Sequence, residues 1–188
     1  MQIAVVLMKT AAALLLACFV LACHQTGGTP LVRAARAGDT TAIRRLVAGG
    51  ADPNEPAGVN GWTPLLHAIH KNQLPSVKAL LDAGAAIDAP APEGTTPLMM
   101  ASGYGYTPIV ELLLRRGAKT RLTNAKNENA LDLAVTGTSD IDRFTLFQCQ
   151  SSTVALLERS DPGLAAHAEA QMQRWVKKCG SGKSSRPS

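Results

Sequence analysis

His67 and His70 stand three residues apart, a spacing that puts two imidazoles on one helix face and would supply half of a zinc site. No Asp or Glu sits at helical spacing beside them, and no H-E-x-x-H run occurs. They therefore read as two ordinary helix histidines, with no metal expected. Asp140, Asp142 and Glu158 are carboxylates near a group of serines, Ser139, Ser151 and Ser152. Acid–base or nucleophilic work would need these groups paired in one cleft, and the serines lack a G-x-S-x-G elbow. No glycine loop suited to cradling phosphate is evident. Catalysis is the least supported class, and no cofactor is expected. An enzyme would require His, Ser and carboxylate side chains to cluster near Cys149.

The cysteines carry a different chemistry. From Ala11 to Ala22 the chain is almost wholly apolar, with Lys9 ahead of it. That is the length of a secretory h-region and too short to span a bilayer comfortably. Met8-Lys9-Thr10-Ala11 reads as a natural start for such a segment, with Met1 the alternative. The segment ends Val20-Leu21-Ala22-Cys23, which resembles the bacterial lipobox, where a small residue lets the peptidase close on the bond before an acylated cysteine. Leu15-Leu16-Ala17-Cys18 offers a second match, but cleavage there would leave Phe19-Val20-Leu21 on the mature end. Cys23 is the preferred site, and a plain cleaved signal with an incidental cysteine is the alternative. Residues 1–23 are thus expected to be a lipoprotein signal peptide and 24–28 a flexible tether. His24 rather than Asp follows the cysteine, which resembles sorting to the outer membrane. The expected location is the periplasm, with membrane contact through the lipid anchor. In that oxidising compartment Cys149 and Cys179 form an even pair that suggests one disulfide.

The elements that would position any site announce themselves by repetition. Thr63-Pro64-Leu65 recurs as Thr96-Pro97-Leu98, and Leu80-Leu81-Asp82-Ala83-Gly84-Ala85 recurs at the same step as Leu113-Leu114-Arg115-Arg116-Gly117-Ala118. A period of about 33 residues means stacked units that bury their apolar faces only against neighbours. The composition agrees: 46% of the chain is apolar but only 4% aromatic, which suits small repetitive layers. The net charge of +5 is spread along the chain without an arginine-rich stripe, so no nucleic-acid partner is expected.

Each Thr can cap a helix and each Pro occupies a first helical position, where its missing N–H costs nothing. Leu65, Ala68 and Ile69 then share one face, and Gly84 and Gly117 follow the second helices, where a left-handed residue is needed. The whole resembles the ankyrin repeat, with its T-P-L start, its second helix ending in L-L and its closing G-A-D. The resemblance implies an all-α ankyrin-repeat solenoid of about four units over residues 29–158, divided as 29–57, 58–90, 91–123 and 124–158. The fourth unit lacks the Thr-Pro start and carries an insertion at 137–152. Asp161-Pro162 should open a capping helix over 159–179, with Leu164, Ala168, Met172 and Trp175-Val176 as its apolar stripe. Residues 180–188 read as a disordered tail. The family His after T-P-L is replaced by Val32, Leu66, Met99 and Asp132, which should remove a link between neighbouring loops. His67 lies one residue late and is not that histidine.

The resemblance also implies a non-catalytic scaffold that binds a protein partner on its concave side. Carried over position by position, the candidate contacts are Val59, Asn60 and Trp62 at one loop tip with His70 and Lys71 behind it. Glu93 and Thr95 form the next tip, with Tyr104 behind. Lys126 and Glu128 form the last, and Arg36 is the first unit's helix site. Trp62 and Tyr104 are expected to be exposed anchors whose replacement weakens binding and spares the fold, the alternative being that Trp62 only packs on a neighbouring loop. An immunity protein against a secreted antibacterial effector, and an accessory factor for oxidative-stress defence, are two finer readings of such a binder.

Overall fold

The computed structural model describes residues 28–136, 151–164 and 173. The leader with Cys18 and Cys23, tether residues 24–27, Cys149, Cys179, the capping segment after 164 apart from Gln173, and the tail lie outside the described residues. Among the described residues eight helices follow in order: α1 Pro30–Ala37, α2 Thr40–Ala48, α3 Pro64–His70, α4 Leu74–Asp82, α5 Pro97–Gly103, α6 Thr107–Arg115, α7 Ala130–Thr136 and α8 Ser151–Ser160. There is no strand among the described residues, only one isolated antiparallel bridge between Ala57 and Trp62. The fold is an all-α repeat solenoid.

Each unit starts as its sequence dictates. Thr29, Thr63 and Thr96 accept on Oγ1 from the backbone N–H three residues on, at 3.3, 3.4 and 3.3 Å, and a proline follows each cap. The fourth unit uses Asn129 instead. Its Oδ1 accepts from the N–H groups of Leu131 and Asp132, while its own N–H donates to Asp132 Oδ2 at 2.8 Å. This reciprocal cap explains why α7 forms without Thr-Pro, and why a carboxylate at Asp132 can be buried. The first helix of each of the first three units ends in a left-handed residue, Gly38, Asn72 or Gly105, which turns the chain into the second helix.

The helices form two layers. α1, α3, α5 and α7 pack side by side, as do α2, α4, α6 and α8, and each first helix also packs on its own second helix. Small side chains make the first layer close: Ala34, Ala68, Ala101 and Ala134 occupy equivalent positions of the four units and are all buried. Leu31, Leu65, Leu98 and Leu131 fill the space between the layers. The core is therefore a column one unit deep, continuous through four units.

Two boundaries differ from the sequence expectation. The expected insertion reaches residue 152 and the expected capping segment begins at 159, yet α8 occupies Ser151–Ser160. Ser151 and Ser152 look like loop residues, but they lead directly into Thr153, Val154 and Leu157, which are buried at helical spacing. Asp161 does start a turn, accepting from Leu164 N–H on its carbonyl and from Gly163 N–H on Oδ1. Its carboxylate also reaches back to the third hairpin, taking bonds from Thr120 Oγ1 and from Arg121 Nε and Nη2 at 2.7–2.8 Å. Those donors hold the Asp161 carboxyl well below the usual carboxylate range.

Candidate groove on the inner face

The loops between units fold into short fingers because each closes on itself by backbone bonds. Ala57 N–H donates to Trp62 O, Ala91 N–H to Thr95 O, and Asn124 N–H to Glu128 O, at 2.9–3.0 Å. The last two fingers are joined as well, Ala125 N–H donating to Glu93 O at 3.0 Å. Gly94, at φ 87°, makes this contact possible: a Cβ there would stand 3.1 Å from Asn124 Cα and 3.2 Å from Ala125 N.

Between these fingers and the inner helices lies an open cavity of about 540 Å³. Its rim is Val59, Asn60, Glu93, Thr95, Lys126 and Glu128, and its wall includes Trp62 and Tyr104. Eight of the residues transferred to the loop tips and helix ends therefore meet around one space. His70 stands behind that wall, its Nδ1 3.0 Å from the Tyr104 hydroxyl. Lys71 and Arg36 are exposed but do not line the cavity. The floor was not anticipated: Met100 and Leu133, with Pro92, Asn124 and Ala125, complete the lining. A signal existed, since His67, Met100 and Leu133 are equivalent positions of successive units and so occupy one column. Apolar residues at such spacing read as core.

Trp62 departs from expectation. It is only 7% exposed, so it is not a free anchor. Its ring lies edge-on to His70 at 5.3 Å and tilted against His67 at 5.6 Å. Two imidazoles from α3 cover it, and its sequence position at a loop tip gave no sign of them. Tyr104, half-buried, continues the row, 5.7 Å from His70 and stacked on Tyr106 at 5.3 Å. Five rings from two units thus form a continuous row, of which Trp62 and the half-buried Tyr104 line the cavity.

His67 is more than an ordinary helix histidine. Its Nε2 lies 3.0 Å from the Ala57 carbonyl, which can only accept, so Nε2 carries the proton and ties the finger to α3. In the third unit Met99 Sδ instead accepts from Thr96 N–H. Burial holds the His67 pKa below the usual imidazole value; the Ala57 bond opposes this, and the charges of Arg36, His70 and Lys71 reinforce it. The fold thus favours the neutral ring, and the unfolded chain takes up the proton first. Stability is full above the unfolded value of about 6.5 and declines as pH falls from there toward the lower folded value. His67→Gln keeps a donor for Ala57 and should show a shallower loss of melting temperature between about pH 7.5 and 5 than the parent. An equal slope in both proteins would remove His67 as the cause.

Among the described residues no group of three His, Cys, Asp or Glu side chains could hold a metal. No described helix is long and apolar enough to cross a membrane.

Comparison with known families finds two overlapping matches. Residues 3–91 match a model described as ankyrin repeats (3 copies), and residues 80–134 one described as ankyrin repeats (many copies). The first match includes residues of the expected leader. The chain is 37% identical over 108 residues to the B-cell lymphoma 3 protein homolog of Mus musculus, covering 57% of this chain and 24% of that protein. It is 42% identical over 90 residues to neurogenic locus notch homolog protein 4 of Homo sapiens, covering 47% of this chain and 4% of that one. Ankyrin repeat protein nuc-2 of Neurospora crassa is 43% identical over 60 residues, which is 32% of this chain and 6% of that protein. The chain thus spans a quarter or less of the length of these curated relatives.

Proposed function

The chain belongs to the ankyrin-repeat family, whose repeats mediate protein–protein interaction and are typically non-catalytic, and from that premise we propose that it holds an extended segment of a protein partner in the groove under Tyr104. The observation that carries this reading is the cavity itself. It has an apolar floor of Met100 and Leu133, an aromatic wall, and a rim of charged and amide side chains. Desolvating one apolar side chain on that floor supplies affinity, and the rim selects which segment enters. A fully exposed Val59 at the finger tip extends the apolar contact beyond the cavity.

A photo-crosslinking residue placed at Val59 should yield a discrete protein adduct in the producing cell, and Tyr104→Ala should diminish it. The same residue placed at Lys78, exposed on α4, should yield none. Equal adducts from both positions would remove the groove from consideration.

The membrane-tethered, periplasmic setting belongs to the same proposal. It is supported by the apolar run from Ala11 to Ala22 and the lipobox-like end at Cys23. The mature protein is expected to begin at Cys23 with a diacylglyceryl thioether, read as added mass on the N-terminal peptide. An unmodified N-terminus at another residue would refute the anchor and leave the groove untouched.

A further inference from the structure

Equivalent positions on the inner helices follow one another at the repeat step, and their chemistry changes along the stack. One column reads Arg33, His67, Met100, Leu133, and the next Arg36, His70, Gly103, Thr136. The first two units thus present guanidinium and imidazole groups to the inner face, where the last two present apolar or small ones. Lys71 joins the basic end as the capping residue of α3.

Arg33, Arg36 and Lys71 are exposed. None of them enters the ion pairs found among the described residues, which are Arg115–Glu111, Arg116–Asp82 and Arg121–Asp161. Arg33 donates from Nη1 to the Gly28 carbonyl at 3.0 Å, which steadies its guanidinium without neutralising it. Arg36, His70 and Lys71 all act on His67 by repulsion, and no carboxylate offsets them there. The groove's carboxylates, Glu93 and Glu128, stand at the other end on the fingers of the third and fourth units, with one lysine, Lys126, beside them.

We propose that the occupant of the groove is an acidic segment of a protein, whose carboxylates seat on Arg33, Arg36 and Lys71 while an apolar side chain of the same segment fills the cavity under Tyr104. This rests on the groove reading above and adds the partner's chemistry and polarity. Three cations at one end, against two carboxylates and the single Lys126 at the other, fix which way the segment lies, since the net charge beside the cavity disfavours its acidic part. A polyanion uniform along its length, such as a nucleic acid, meets that repulsion wherever it covers the cavity. Neighbouring helices pack about 8–10 Å apart, so α1 lies roughly 20 Å from α5. An extended chain advances about 3.3 Å per residue, which places the carboxylates about six residues from the apolar anchor.

The test selects a random display library of peptides about twelve residues long against the full chain. The enriched peptides should pair a large apolar residue with two or more Asp or Glu about six positions to one side. Their affinity should fall about tenfold or more in the Arg36→Glu, Lys71→Glu double variant, keep its value in Lys78→Glu, and weaken with salt. The altered side chains are exposed, and thermal melting verifies that the fold is retained. Peptides that need Tyr104 but show no acidic bias overturn the charge assignment and leave the groove reading standing. Peptides indifferent to Tyr104→Ala overturn the groove reading itself. Retention on phosphatidylglycerol vesicles through the same cations, with no peptide selected, overturns both in favour of a lipid surface.

Discussion

Trp62→Ala is expected to destabilise the protein by about 3–5 kcal/mol, the usual loss when a large buried aromatic is truncated. The ring is 7% exposed and is covered by His67 and His70. It also sits at the Ala57–Trp62 bridge that closes the first finger. Its removal leaves a cavity beneath that finger and unseats two imidazoles at once. Chemical denaturation measures the loss directly, and a value under about 1 kcal/mol would mean that the ring contributes little to the core. Tyr104→Ala, removing a half-buried ring, should cost less. For that reason Tyr104, not Trp62, is the position at which loss of binding can be separated from loss of fold.

The second large effect is expected at a glycine. Gly94→Ala places a Cβ 3.1–3.2 Å from backbone atoms of Asn124 and Ala125, at a φ of 87°. The left-handed conformation alone costs an L-residue roughly 1–2 kcal/mol, and backbone neighbours cannot swing aside as a flexible side chain would. Gly84→Ala is the control: its φ is 89° but nothing lies within 4 Å of the added carbon. Denaturation should therefore show a loss of about 1–2 kcal/mol at Gly84 and a larger one at Gly94. Only the Gly94 variant should also disturb binding, because the Ala125–Glu93 bond that joins two rim fingers gives way. Equal losses at the two sites would mean that the fingers adjust freely.

The repeat itself was readable because one unit's requirements recur in phase. The Thr caps, the Pro at the first position and the buried Ala column at 34, 68, 101 and 134 keep one register, 34 residues from the first unit to the second and 33 thereafter. Rim residues followed from the same register, since a loop tip has few places to go once its flanking helices are fixed. Which way a ring turns was not readable. Trp62 precedes Thr63 at the tip of a finger, and only its contact with His67 and His70 draws it inward. The floor escaped notice for the opposite reason. Met100 and Leu133 carry the spacing and polarity of core residues, and a groove-facing thioether has the same pattern as a packed one. The start of α8 was hidden because Ser151 and Ser152 have loop-like chemistry, while the packing that makes them helical comes from α6 and α7.

The chain leaves α7 at Thr136 and rejoins α8 at Ser151, and these two helices pack against each other all the same. Asp161, still further on, makes its bonds to Thr120 and Arg121 as though nothing had intervened. Closing a longer excursion between two fixed ends costs only about 0.6 kcal/mol for each doubling of its length. The scaffold can therefore host a whole extra module spliced in between those helices. Cargo of that kind would ride on the column as a passenger and leave its architecture alone.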